Sequence, residues 1–398
     1  MGDGAALVLW ENAPEDKTRN QRLGARSNLY MAIKKWDMVA AVANQQNSKS
    51  PKEIEGNNMM NDPSQIVVEL IFGRWRSQIL YAGVKLGVFD ALGDGYKASS
   101  DIAEVLRLDP ALTYRLLRAL ASLDLLQEDA HRSFALSACG ECLRADHPQS
   151  LRGVALLEEG PEHYAAWKHL CEILRDGQQD GFVREFGHPI FVHVVEDADY
   201  GAIFNAAMSS YAKSLTPMVL EALETYNFST ATHVCDVGGG HGHLLCSLLK
   251  QYPALRGTVY DLASVVADTG RLWAHKMGVG ERCVYMAGDM FQEVPAADAY
   301  LLKHILHDWS DTECVQILTN IYRAAPTNAR VFVAESVVPG PDTPHFAKLF
   351  DIHMMCMLTG RERTEEEYAA LFHEAGWHYI GTRYPASRRL GVVEAAKA

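Results

Sequence analysis

With 398 residues, 48% of them hydrophobic and 22% charged, the chain has the make-up of a water-soluble globular protein long enough for two domains. Its net charge of −13 argues against nucleic acid as a partner, because that binding needs basic surface to displace counterions. No apolar run approaches the roughly 20 residues that span a bilayer, and no basic residue precedes Ala5–Trp10, so a cytoplasmic protein without a signal peptide or membrane contact is expected.

Residues 1–60 mix charge with Asn and Gln and read as an N-terminal extension, either disordered or an arm on a dimer partner. At Asp62-Pro63 a helix start appears, and Ile66, Val67, Leu70, Ile71, Ile79, Leu80 and Val84 follow at helical spacing. Ser99-Ser100-Asp101 and Asp109-Pro110 open two more helices. Their expected inner faces hold Ile102, Val105 and Leu106, then Leu112, Leu116, Leu117, Leu120 and Leu123. A hairpin is expected at Leu125–Glu128 and Ser133–Leu136, which completes a winged-helix pattern over 61–150. That stretch holds nine Lys/Arg against twelve Asp/Glu, net −3, so pairing with a second copy is favoured over reading DNA. Of the eight cysteines only Cys139 and Cys142 have metal-like spacing, and no second pair completes a zinc site.

Residues 151–227 read as all helical, with Tyr164, Trp167, Phe204 and Met208 among the apolar positions, and are expected to contribute to a substrate pocket. From 228 to 398 strands alternate with helices, at His233–Val237, Thr258–Asp261, Cys283–Met286, Ala299–Lys303 and Val331–Glu335. Such alternation implies a parallel sheet with crossovers. Tyr379–Tyr384 and Gly391–Ala395, after a helix at Thr364–Glu374, suit an antiparallel final pair.

Chemistry concentrates at the strand ends. Asp236-Val237-Gly238-Gly239-Gly240-His241-Gly242 is a strand-to-helix turn whose glycines let the backbone approach a ligand. Asp261, 23 residues beyond Gly238, is placed to take two ribose hydroxyls. Asp289 can accept from an adenine amino group, and Met290 can pack on the ring. Beyond the fourth strand stands Lys303-His304-Ile305-Leu306-His307-Asp308-Trp309. His307 there can take a hydroxyl proton near neutrality, with Glu335 and Glu362 able to flank it. By spacing alone His307 could equally be a residue that merely starts a helix.

These motifs, with Tyr260-Asp261-Leu262, Gly288-Asp289-Met290-Phe291, Val333-Ala334-Glu335 and Glu362-Arg363-Thr364, resemble the caffeic acid-type O-methyltransferases of plants, bacteria and animals from about residue 63 to 395. The resemblance implies an α/β fold with a Rossmann-like S-adenosylmethionine methyltransferase domain, mostly parallel with an antiparallel last strand. It also implies an N-terminal winged-helix dimerisation domain and a homodimer. It assigns cofactor contacts to Asp236, Gly238, Gly240, Asp261, Leu262, Asp289, Met290 and Lys303, and catalysis to His307 as base with Glu335 and Glu362. The acceptor, a small aromatic molecule with a hydroxyl, is expected against Tyr164, Trp167, Phe204, Met208, His304, Asp308 and Met354. His304 stands where plant members often carry Trp, so a phenylpropanoid acceptor does not follow. Competing readings are methylation at carbon or nitrogen, a non-methylating decarboxylation or hydroxylation, and a DNA-binding regulator. A metal at His304, His307 or His353 has no compelling ligand spacing, and none is expected.

Overall fold

The computed structural model of the protein describes residues 62–398, so the extension expected over 1–60 lies outside the described residues. The chain divides into two compact units at Gly73. In the first, the described helix is α1 (Pro63–Ile71), begun by the Asp62 carboxylate, which accepts from Ser64 N–H at 3.0 Å. Ile66, Val67, Leu70 and Ile71 are all exposed. One continuous helix through Val84 was expected, but the spiral is interrupted at Phe72 and α2 (Gly73–Lys85) follows. Glycine, which weakens a helix interior, stands at that interruption.

The second unit takes in α2 from Arg74 onward, followed by α3 (Val88–Leu92), α4 (Ser99–Leu106) and α5 (Pro110–Ala121). Strand β1 (Lys97–Ala98) joins the hairpin β2 (Leu126–Glu128) and β3 (Ser133–Leu136) in a small sheet of order β1-β3-β2. Val84, Val88, Phe89, Leu117, Leu120 and Phe134 form its core. Val105 and Leu112, expected on inner faces, are instead 70% and 59% exposed. The core from α3 and the hairpin meets the Leu117–Leu120 side of α5, and among the described residues those two positions stay outside it.

A helical stretch follows, from Arg152–Glu158 to the 26-residue helix Ala198–Leu223. These two helices lie very close, because a Cβ on Gly153 would stand 2.7 Å from the Ala206 carbonyl carbon.

The large sheet has seven strands: β4 (His233–Val237), β5 (Arg256–Asp261), β6 (Cys283–Ala287), β7 (Ala299–Lys303), β8 (Arg330–Glu335), β9 (His378–Arg383) and β10 (Gly391–Ala396). Their order is β6-β5-β4-β7-β8-β10-β9. Strands β4 to β8 run parallel, and β10 is antiparallel to both β8 and β9. One core with Ile317, Ile321, Tyr368 and Phe372 covers one face, and another with Leu223, Leu245 and Leu249 covers the other. Strands buried on both faces explain why β4, β7 and β8 read as near-continuous apolar runs. The strand order reverses at β4, which opens a crevice beyond its carboxyl end. Among the described residues no helix is long and apolar enough to cross a membrane.

Candidate active site

The crevice is built from the turn after β4. Gly238 has φ +65 and donates its N–H to Tyr260 C=O at 2.8 Å. A Cβ there would lie 2.3 Å from Ile305 Cδ1, so both conformation and space call for glycine. A Cβ on Gly240 would meet nothing within 4 Å, which leaves an open cradle at the turn. Asp261, at the end of β5, accepts from Gly240 N–H and Leu262 N–H, each at 2.7 Å. Burial raises its pKa while those two donors hold it down. Among the described residues its other lone pairs take no further hydrogen bond, so they can receive two ligand hydroxyls.

Asp236 is buried at the end of β4 with Oδ2 lacking a hydrogen-bond partner. Burial pushes its carboxyl up to about 7 against the pull of Lys303. Lys303, at the end of β7, is lowered by burial despite Asp236, Glu335 and Asp308. Asp289 and Leu262 are exposed at the rim, and Asp289 accepts from Phe291 N–H at 2.9 Å. Met290 packs on the core, and its carbonyl accepts from Asn320 Nδ2 at 3.0 Å.

Beside the crevice, the 3-10 turn Leu306–Asp308 carries His307 into a buried cluster. His307 Nδ1 donates to Glu362 Oε1 at 2.8 Å and lies 3.9 Å from Glu335 Oε2. The other nitrogen, Nε2, is 3.4 Å from Asp308 Oδ1. Burial works against the imidazolium, but Glu335, Asp308 and Glu362 overcome it and raise His307 to about 10. Glu335, itself pushed up to about 7 by burial, accepts from Ile305 and Leu306 N–H, both at 3.0 Å. The second oxygens of Glu335 and Glu362 have no hydrogen-bond partner. His304 has φ +52, a strained value for a non-glycine residue, and its ring centre is 4.9 Å from that of His307.

Arg363 joins the loops together. Fully buried, it donates to Leu306 C=O at 2.9 Å, to Trp309 C=O at 2.8 Å, and twice to Asp311 Oδ1 at 2.9 and 2.7 Å. The motif Glu362-Arg363-Thr364 stands out in the sequence, but nothing there assigns Arg363 a part; a buried guanidinium signals itself only once the fold is known.

The remaining expected positions spread over the helical stretch and the helix Phe346–Met357. Tyr164, Trp167 and Met208 are 38–39% exposed. Tyr164 Oη accepts from Arg74 at 2.7 Å, and Trp167 Nε1 donates to His353 Nδ1 at 3.3 Å. Phe204 packs on a separate core beside Tyr200, and Met354 is buried. The structure thus brings His304, His307, Asp308, Glu335 and Glu362 together, while Phe204 packs on its separate core and Tyr164 pairs with Arg74.

A sheet of this order, with an acidic residue ending β5 beside a glycine turn, defines the class of S-adenosylmethionine-dependent methyltransferases. Residues 167–378 match the O-methyltransferase domain family, and residues 68–146 match the O-methyltransferase dimerisation domain. The chain is 34% identical over 333 residues to a phenazine O-methyltransferase of Lysobacter antibioticus, covering 83% of this chain and 96% of that one. It is 31% identical over 322 residues to an 8-amino-8-demethylriboflavin N,N-dimethyltransferase of Streptomyces davaonensis, covering 79% and 90%. Among solved structures, a methyltransferase of calicheamicin biosynthesis in an SAH-bound form superposes with a TM-score of 0.72 at 29% identity, covering 86% of this chain and 100% of that one.

The chain belongs to the O-methyltransferase family. It is an S-adenosylmethionine-dependent enzyme that methylates a hydroxyl of a small molecule. The crevice suits that cofactor, since the open cradle at Gly240, the Asp261 carboxylate and the unpartnered Asp236 Oδ2 are groups a nucleoside with a sulfonium can engage.

Proposed function

We propose that the acceptor is a small aromatic molecule and that His307 Nε2 takes the proton from its reacting hydroxyl. The observation that carries this reading is the 2.8 Å bond from His307 Nδ1 to Glu362. It fixes Nδ1 as the donor and leaves Nε2 to accept. Aromatic rings surround the cluster, with Phe350 5.6 Å and His304 4.9 Å from His307. The name of the Lysobacter relative, a phenazine O-methyltransferase, agrees with a planar ring acceptor.

Bound S-adenosylmethionine supplies an already activated methyl group. Asp261 would hold its ribose, Asp289 and Met290 its adenine, and Asp236, Gly238, Gly240, Leu262 and Lys303 would form the walls of its site. His307 and the rings have to hold the acceptor oxygen in line with the methyl and keep water out. As the oxygen attacks, its proton passes to Nε2, and the imidazolium so formed faces Glu335 and Glu362. In the ligand-free cluster the raised proton affinity of His307 keeps it charged at neutrality. A cationic cofactor entering beside it opposes that charge and favours the neutral, accepting ring. The same carboxylates then stabilise the proton when it arrives from the acceptor.

The N,N-dimethyltransferase relative keeps amine acceptors in view. An amine can lose its proton after transfer and needs no base aligned beforehand, whereas a hydroxyl does. Labelled S-adenosylmethionine, offered with phenols and their matched anilines, is the test. Label in the phenols supports the reading, and label confined to the anilines overturns it.

The same reading makes the protein a cytoplasmic homodimer. Its parts would be the extension 1–60, the dimerisation domain 61–150, the pocket helices 151–227 and the catalytic domain 228–398. Support comes from the dimerisation-domain match and the exposed apolar residues of α1. An obligate interface of roughly 2,000 Å² or more is expected. Light scattering at micromolar concentration should give twice the 44.1 kDa chain mass, and a monomer with full activity would refute the dimer.

A further inference from the structure

The helix Phe346–Met357 carries a strip of rings that reaches beyond the methyl-transfer cluster on either side of Phe350. Phe346, Phe350 and His353 are spaced at i, i+4 and i+7, which puts them on one helix face. Phe346 and Phe350 stack at 5.3 Å, and Phe350 and His353 at 5.7 Å with ring planes 9° apart. Phe346 is 52% exposed, and Phe350 also lies against His307 and His304. The strip therefore leads from the surface past the proton-transfer cluster to His353.

At its far end, His353 belongs to a second histidine–carboxylate group. Glu158 Oε2 receives His163 Nδ1 at 3.3 Å and His353 Nε2 at 3.5 Å, and Glu158 Oε1 accepts from Tyr211 Oη at 2.8 Å. His163 Nε2 in turn meets Tyr200 Oη at 3.0 Å. These three residues have the types and spacing of a metal site. The indole N–H argues otherwise. Trp167 Nε1 can only donate, so His353 Nδ1 must be an unprotonated acceptor and its proton must sit on Nε2, pointing at Glu158. A metal on Nε2 would demand the opposite arrangement.

Glu158 is thus fully occupied, and the open handle of the group is His353 Nδ1. Its bond to Trp167 is 3.3 Å long, beyond the usual range, and Trp167 is 39% exposed. A better-placed O–H or N–H can displace it. Burial lowers His353 to about 4 despite Glu158, so it stays a neutral acceptor at physiological pH and gives an anion no charge to bind.

We infer that His353 is a specificity residue that accepts a hydrogen bond from a second hydroxyl or N–H of the acceptor, remote from the hydroxyl methylated at His307. This rests on the aromatic-acceptor reading above. The enzyme then prefers planar molecules that carry two donors, one for each histidine, over molecules that carry one.

The probes are 1-naphthol and its 1,5-, 1,6- and 1,7-dihydroxy relatives, offered to the full chain. Calorimetric binding in saturating S-adenosylhomocysteine and kcat/KM with S-adenosylmethionine are both measured. The best diol should bind about 5- to 10-fold more tightly than 1-naphthol, the scale of one neutral hydrogen bond. His353→Phe should bring that ratio near the twofold expected from having two hydroxyls. His353→Asn, which can present Oδ1 in place of Nδ1, should keep most of it, a rescue that a merely structural role would not show. Trp167→Phe removes the competing donor and should widen the ratio, and it decides the matter even if the His353 variants fail to fold. The inference falls if no diol is preferred, if His353→Phe keeps the preference, or if Trp167→Phe leaves the ratio unchanged or smaller. It also falls if added Co²⁺ gives a ligand-field spectrum that disappears in His163→Ala, for the group would then be a metal centre. A binding preference without methylation of any naphthol would overturn the phenol reading and leave this one standing.

Discussion

Two histidine–carboxylate groups stand on either side of Phe350, and they hold their protons in opposite ways. His307 is raised to about 10, whereas His353 is lowered to about 4, although both are buried and both face glutamate. The carboxylates make the difference. Glu335, Asp308 and Glu362 all bear on His307 and together overcome its burial. Glu158 spends its charge on His163, His353 and Tyr211, and those contacts bring it down to about 2 against the upward push of burial. The lesson is that the balance of charges around the ring decides the outcome: three carboxylates outweigh burial at His307, whereas at His353 Glu158 stands alone against burial, His163 and His307.

The sharpest way to break this contrast is His307→Ala. Turnover should fall by roughly 100-fold or more, the scale of losing a general base, while affinity for S-adenosylhomocysteine by calorimetry stays close to wild type. Equal loss of binding and turnover would place His307 in structure rather than chemistry. Asp261→Ala should do the reverse, costing cofactor affinity about 1–3 kcal/mol, because two ligand hydroxyls would lose a buried charged acceptor. Unchanged affinity would sink that placement of the ribose.

Glu362→Gln probes the sign of the electrostatics. A raised pKa in the ligand-free chain means that His307 accepts a proton only above that pKa, so kcat/KM for S-adenosylmethionine should climb with pH on the alkaline side. Removing one of the carboxylates that raise it must lower the pKa and move the climb to lower pH, while the plateau also drops because the imidazolium loses a partner. A profile that stays in place would assign the rise to another group. The smallest effect belongs to Tyr211→Phe. It strips one donor from Glu158, so the Glu158 pKa should rise, and His353 should rise slightly as that charge becomes freer to act on it. Histidine NMR titration reads this directly, and a fall in the His353 pKa would contradict the account.

The strand-end motifs were legible because each is local. Apolar β4 runs straight into Gly238, and Asp261 closes the very next strand, so a dozen residues on either side state the crevice. His307 with Glu362 was a looser reading that the family likeness strengthened, since 55 residues and a change of element separate them. Glu158, His163 and His353 left no trace of that kind. Glu158 and His163 are five apart on separate helices, and His353 arrives from a third. Helical periodicity also overstated burial at Val105 and Leu112, because an amphipathic pattern says which face is apolar and not how far along it a neighbour reaches.

Arg363 has a consequence for how such an enzyme can change. By holding Leu306, Trp309 and Asp311 from the loop that bears Glu362, it ties the turn carrying His307 to that loop as one unit. Helix Phe346–Met357 meets that unit at Asp351, whose Oδ1 accepts from Glu362 N–H at 2.9 Å, so this residue is tied to it as well. Substitutions elsewhere on that helix and around Trp167 leave both sets of bonds in place, so a change of acceptor need not dismantle the loop that carries Glu362.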